Sequence, residues 1–121
     1  MDAGKRRWFV PDAFLPAESS HGVTSHESAC LLNCGDQDAR IRFTFFFEDR
    51  EPLGPIEIEL GGRRARHVRL DDPQQIGGVQ LPRGVCYAYA VESDVPVVVQ
   101  HSRLDTSRGA YTLFTTIGYS E

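Results

Sequence analysis

Two five-residue segments of this 121-residue chain echo one another: His67-Val68-Arg69-Leu70-Asp71 and His101-Ser102-Arg103-Leu104-Asp105. On an extended backbone alternate residues share a face, so each segment displays an imidazole, a guanidinium and a carboxylate in a row, with leucine on the other side. Such a row sets planar donors beside an acceptor, which suits carboxylate, phosphate or sugar hydroxyl groups. The same residues also make an ordinary solvated strand face with cross-strand ion pairs, and the pattern alone leaves both readings open. Val97 and Val99 share the parity of His101 and Arg103, so that face runs from the core to a polar mouth. The expectation is one cleft lined by His67, Arg69, His101 and Arg103. Glu27 and Asp105 belong close by, because four potential cations repel one another unless carboxylates or a ligand compensate them.

Ser25-His26-Glu27 has the composition of a catalytic triplet but not its geometry. Neighbouring side chains on an extended chain point to opposite faces, so His26 and Glu27 need separate partners, and no Ser lies in a Gly-x-Ser-x-Gly elbow. His26, His67, His101 and Glu27 have none of the close spacings of established metal motifs. Cys30, Cys34 and Cys86 are an odd, low count with one close pair, which reads as small strand side chains rather than a disulfide framework or zinc site. No catalytic residue, metal ligand or cofactor is therefore assigned. The basic run Gly61-Gly62-Arg63-Arg64-Ala65-Arg66 lacks the strand–loop–helix setting of a phosphate loop and reads as a hairpin end.

The elements that must hold these residues are strands. Ile41-Arg42-Phe43-Thr44-Phe45 and Ile56-Glu57-Ile58-Glu59-Leu60 alternate with period two, and helical periodicity is hard to find. Further strands are expected at Lys5–Val10, Ser28–Asn33, Arg64–Leu70, Val85–Glu92, Pro96–Arg103 and Tyr111–Tyr119. Turn signals separate them at Asn33–Asp36, Pro52–Pro55, Gly61-Gly62, Asp71–Pro73, Pro82–Gly84 and Ser93-Asp94. A helical turn competes with strand over Thr106–Leu113. About eight short strands in one domain spanning residues 1–121 predict an all-β fold, an antiparallel β-sandwich.

Composition narrows the function. Hydrophobic residues at 40% and charged residues at 25% are those of a globular domain, and the net charge of -4 disfavours general nucleic-acid binding. The apolar runs are strand-sized, short of a membrane helix. Lys5-Arg6-Arg7 before Trp8-Phe9-Val10 imitates a signal peptide, but Pro11, Asp12 and Pro16 cut the apolar run short, so a cytoplasmic location is expected. Some strands are apolar on both faces: Phe46 opposes Phe45 and Phe47, and Val98 opposes Val97 and Val99. A lone sandwich buries one face of each sheet, so a second apolar face predicts a homo-oligomer.

Trp8, Ser25-His26-Glu27, Leu32-Asn33-x-Gly35-Asp36-x-Asp38-Ala39, Glu51-Pro52-x-Gly54-Pro55, Arg64-x-x-His67-Val68-Arg69 and Val95-Pro96-x-Val98-Val99-Gln100-His101-x-Arg103-Leu104-Asp105 occur in this order. Together they resemble the Anabaena sensory rhodopsin transducer family over nearly the whole chain. The resemblance implies a soluble β-sandwich, typically a tetramer, that partners a membrane rhodopsin or another signalling protein. It also implies a small-molecule-binding module, with sugars the favoured ligands. The polar motif residues it assigns to such a site are His26, Glu27, His67, Arg69, Gln100, His101, Arg103 and Asp105, to which Trp8 adds a ring for stacking on a sugar face. The alternatives are a module whose main partner is the rhodopsin itself, and a carbohydrate-acting enzyme using the His/Glu cluster.

Overall fold

The computed structural model describes residues 3–121. The strands are β1 (Lys5–Phe14), β2 (His26–Asn33), β3 (Ala39–Phe47), β4 (Leu53–Leu60), β5 (Arg64–Arg69), β6 (Cys86–Asp105), β7 (Thr112–Ile117) and β8 (Tyr119–Ser120), with one turn of 3-10 helix at Pro73–Gln75. All strand pairs are antiparallel. One sheet has the order β4-β3-β6-β1-β8; the other is β5-β2-β6-β7. The fold is an all-β sandwich, as the period-two pattern predicts. Among the described residues no helix is long and apolar enough to cross a membrane.

Both sheets share β6. Its first part, through Ser93, lies between β3 and β1, and its last part, from Val98, lies between β2 and β7. The sequence predicts a turn at Ser93-Asp94 and two separate strands; the structure has one twenty-residue strand instead. The polar residues that read as a turn are each held: Ser93 is buried, and the Asp94 carboxylate accepts the Arg40 backbone N–H at 2.8 Å. Pro96 is tolerated because the β1 register jumps from Arg7↔Glu92 to Lys5↔Val97, so no ladder bond is required of it there. Conversely, the single strand expected over Tyr111–Tyr119 breaks at Gly118, where the chain leaves β6 and crosses to pair with β1.

The core follows the pleat. Tyr87, Tyr89, Val91, Val97, Val99 and His101 of β6 all point inward, facing Ile41, Phe43 and Phe45 of β3 and Ala29 and Leu31 of β2. A bulge in β1 between Val10 and Ala13 shifts its parity, so that Trp8 and Val10 on one side of it, and Ala13 on the other, are all buried. Trp8 fastens the crossover. Its ring is 5% exposed and its Nε1–H donates to the carbonyls of Val97 (2.9 Å) and Lys5 (3.1 Å). A ring so placed has no face free to stack on a sugar, which corrects the role expected for Trp8.

Trp8→Ala is therefore expected to cost about 3–5 kcal/mol in urea unfolding, the range for deleting a buried aromatic ring. Trp8→Phe keeps most of the packing and loses only the donor, at about 1–3 kcal/mol for carbonyls left unpaired. Equal and small losses for both would show that the ring does not hold the crossover.

Candidate functional site

The inner face of the second sheet starts apolar and ends in a buried polar cluster around Glu27. Four donors converge on this fully buried carboxylate. Oε1 accepts from the Phe14 backbone N–H (2.9 Å) and the Tyr87 hydroxyl (2.6 Å). Oε2 accepts from the same N–H (3.0 Å), from His101 Nε2 (2.8 Å) and from Arg103 Nε (2.9 Å). Behind the imidazole, the Tyr89 hydroxyl meets His101 Nδ1 at 2.8 Å. Strands β1, β2 and β6 are thus tied at one point.

Protonation follows from burial. Burial first, and then the Glu27 charge, push the hydroxyls of Tyr87 and Tyr89 well above the ordinary tyrosine value, so both stay protonated, and Tyr87 donates to Glu27. The imidazole places Nε2 against the Glu27 carboxylate and Nδ1 against the Tyr89 hydroxyl. Burial alone would raise the Glu27 carboxyl. The hydrogen bonds from His101, Tyr87 and the Phe14 N–H outweigh it and hold the carboxyl below its ordinary value.

Arg103 connects this cluster to the surface. Its guanidinium lies over the ring of Phe114 (4.9 Å to the centroid) and near that of Phe14 (5.8 Å), an arrangement that combines cation–π attraction with shielding from water. Nε is used by Glu27. Nη2 is covered yet has no hydrogen-bond partner; the carboxylate of exposed Asp12 lies 4.0 Å from it, beyond hydrogen-bond reach. Asp12 and Phe114 also form part of the wall of a cleft of about 620 Å³ between β1 and the β7–β8 segment, with Phe9, Thr116 and Tyr119 further along it.

The two echoing rows do not share this cleft. Cys30 pairs with both His67 and Gln100, and Ser28 pairs with both Arg69 and Ser102, so the β5 row lies on the face of the sheet opposite to His101 and Arg103. The expectation of one cleft is overturned because β2, interposed between the rows, matches the odd residues of β5 to the even residues of β6. On that outer face His67 and Gln100 are exposed, and half-buried His26 directs Nδ1 to the Thr24 carbonyl. Arg69 is engaged by Asp71 through two parallel bonds of 2.7 and 2.9 Å. Asp105 accepts from the backbone N–H and hydroxyl of Ser107, contacts that place its carboxyl below the ordinary value. Of the expected site, then, the structure brings together Glu27, His101 and Arg103.

Sequence reasoning missed Tyr87, Tyr89, Phe14, Phe114 and Asp12. The parity that Tyr87 and Tyr89 share with His101 was a usable signal, but only if β6 is one unbroken strand. The bulge that turns Asp12 outward and the approach of β1 to Glu27 have no local signature. Among the described residues no group of three His, Cys, Asp or Glu is arranged to hold a metal.

A model of the family described as Anabaena sensory rhodopsin transducer matches residues 3–120. The chain belongs to this family. Among solved structures it is similar to a Thermotoga maritima protein described as Thermotoga maritima 1070, at 44% identity and a TM-score of 0.88, covering 98% of this chain and 96% of that one. It is also similar to the Anabaena sensory rhodopsin transducer itself, at 31% identity and a TM-score of 0.71, covering 84% of this chain and 98% of that one. No curated protein matches it.

Glu27→Gln puts an amide donor among four converging donors and leaves Arg103 without its carboxylate. A loss of about 3–5 kcal/mol in urea unfolding at neutral pH is expected, as for a broken buried ion pair. Because the folded pKa of Glu27 is depressed, its contribution is present above the unfolded value of about 4.3 and is lost as pH falls through the folded one. Asp71 and Asp105 add slope in the same direction, so the acid dependence of the wild type minus that of the variant isolates Glu27. Identical slopes would show that the carboxylate is not held as its contacts require.

Proposed function

We propose that this transducer-like module is a cytoplasmic homo-oligomer, a tetramer, that binds a small neutral hydroxylated ligand such as a sugar in the cleft beside Arg103. The observation that carries this reading is the Nη2 of Arg103: covered, without an acceptor, and fixed between two aromatic rings behind the cleft wall. A buried donor without a partner costs about 1–3 kcal/mol, which an oxygen on a ligand would offset. Charge selects the kind of oxygen. Glu27 and Asp12 already place two carboxylates around one guanidinium, so a further anion is repelled, whereas a hydroxyl or ring oxygen accepts without adding charge. Asp12 is free to take a hydroxyl proton in a hydrogen bond, and Phe114, Phe9 and Tyr119 offer surface to the apolar side of a sugar ring. A cleft of about 620 Å³ lies within the usual range for such ligands, about 300–1,000 Å³.

In this reading Glu27 and His101 do not touch the ligand. Sealed from solvent, they orient Arg103 from behind. The same sealing argues against an enzyme built on the Tyr89–His101–Glu27 chain: its order of hydroxyl, imidazole and carboxylate is that of a proton relay, but Tyr89 is 1% exposed and the other two are fully buried. A second reading, in which the main partner is a membrane rhodopsin or another signalling protein, is favoured by the 31% identity to the Anabaena transducer. The exposed polar row of His67 and Gln100, with His26 and Arg69 beside it, is then the surface to test for docking.

Thermal unfolding of the purified protein against a panel of neutral hexoses, pentoses and polyols tests the ligand reading. A ligand at a hundredfold excess over its Kd stabilises by about 2.7 kcal/mol. Arg103→Ala is expected to remove that shift while the wild-type and variant spectra in the far ultraviolet stay alike. No shift of the wild type with any member of the panel would sink the reading.

A further inference from the structure

The position of Asp12 is set by a defect in β1. Trp8 and Val10 point inward, and continued alternation would carry the Asp12 carboxylate into the core. Between Val10 and Ala13 the register slips: Val10 pairs with Tyr89 and Ala13 with Tyr87, so Pro11 and Asp12 together oppose Ala88. Proline needs no ladder bond at such a bulge, and the extra residue re-aims Asp12 outward, its side chain 88% exposed. There it joins the wall of the cleft, where it is the one charged side chain among the described residues of that wall. It also lies 4.0 Å from Arg103 Nη2, the one buried side-chain polar atom without a partner among the described residues.

We propose that Asp12 and Arg103 form a subsite for a single ligand hydroxyl, which accepts from Nη2 and donates to the Asp12 carboxylate at once, and that Asp12 thereby sets the ligand class. The subsite deepens the ligand-binding reading above and rests on it. The separation of the two groups carries the argument. At 4.0 Å they are too far apart to satisfy each other, but an oxygen at about 2.9 Å from Nη2 and about 2.7 Å from the carboxylate touches both. The angle at that oxygen is about 90°, near the tetrahedral directions of an alcohol, and exposed Asp12 is free to widen it. Only a group that is donor and acceptor together fits. An ether oxygen leaves the carboxylate unmet, an ammonium leaves Nη2 unmet, and a carboxylate only accepts and is repelled by Asp12. A hydroxyl also displaces water without losing either bond, which the other groups cannot do. Phe114, the ring over the guanidinium, is 39% exposed, so Nη2 is reached by moving one surface ring and not by opening the core. Glu27 holds Nε at 2.9 Å, which keeps the guanidinium oriented while that ring moves.

Small probes test the subsite apart from any sugar. Side-chain NMR of the Arg103 Nε–H follows titration with ethylene glycol, with 1,2-dimethoxyethane, whose oxygens only accept, and with sodium acetate at constant ionic strength. The wild type is expected to bind ethylene glycol about tenfold more tightly than 1,2-dimethoxyethane, and not to bind acetate. Asp12→Ala is expected to shrink the preference for the diol to about twofold or less. Asp12→Asn keeps an acceptor without the charge, so the diol preference survives while acetate binding appears. Both variants change an exposed side chain, so their far-ultraviolet circular dichroism should match that of the wild type. A wild type that does not distinguish diol from diether, or an Asp12→Ala variant that distinguishes them as the wild type does, overturns the inference. If every sugar in the panel fails while the diol preference depends on Asp12, sugars fall as ligands and the subsite stands. A sugar that binds the wild type and Asp12→Ala alike has the opposite meaning.

Discussion

The carboxylate of Glu27 is the constraint on which the second sheet depends. A buried glutamate is tolerated only when every lone pair facing the protein is used, and here a carboxylate on β2 takes its donors from β1 and from both ends of β6, all far apart in sequence. The Phe14 N–H fixes where β1 ends its pairing. Tyr87 and His101 fix the two halves of β6 relative to one another, and Arg103 is fixed by its Nε. Apolar packing alone would hold these strands near one another in several slightly different arrangements; the directional contacts to one carboxylate select among them.

That selection matters because β6 is shared. A strand that serves two sheets has to bend where its partners change, and the bend lies where Trp8 donates to the Val97 carbonyl and where the β1 register jumps. The crossover and the polar cluster lie on the same inward-facing series of odd residues, Tyr87 through His101. One side of one strand therefore carries the aromatic core, the bend and the acid–base chain in succession. Arg103 comes next, where that series reaches partial exposure.

Much of this was legible in the residues. Period-two alternation gave the strands and the sandwich, and the parity of Val97, Val99, His101 and Arg103 put them on one face, which passes from the apolar core into a buried polar cluster where an open mouth was expected. What was not legible depended on neighbours distant in sequence. Ser93-Asp94 has turn chemistry, and only the burial of Ser93 and the Arg40 N–H waiting for Asp94 make it strand. The rows at His67 and His101 are alike in sequence, but which face each occupies is decided by β2 between them, whose own sequence contains no trace of the pairing. Trp8, an attractive ring for stacking on a sugar, is consumed by the crossover. The hydroxyls of Tyr87 and Tyr89 were hidden within what reads as an apolar strand.

The cluster around Glu27 also restricts how this sequence can change. Tyr87, His101, Arg103 and the Phe14 amide are all donors to the same two oxygens, so each side chain is acceptable only while the carboxylate is present, and the carboxylate only while its donors are. Replacing any one alone strands the others, and an apolar replacement becomes favourable only when the charged members leave together. Glu27, Tyr87, His101 and Arg103 thus form a single inherited unit with no easy stepwise route out of it, whereas on the outer face Arg69, whose guanidinium is paired with Asp71, needs to change with one partner only. Within one sheet, the two faces are expected to record descent at different rates.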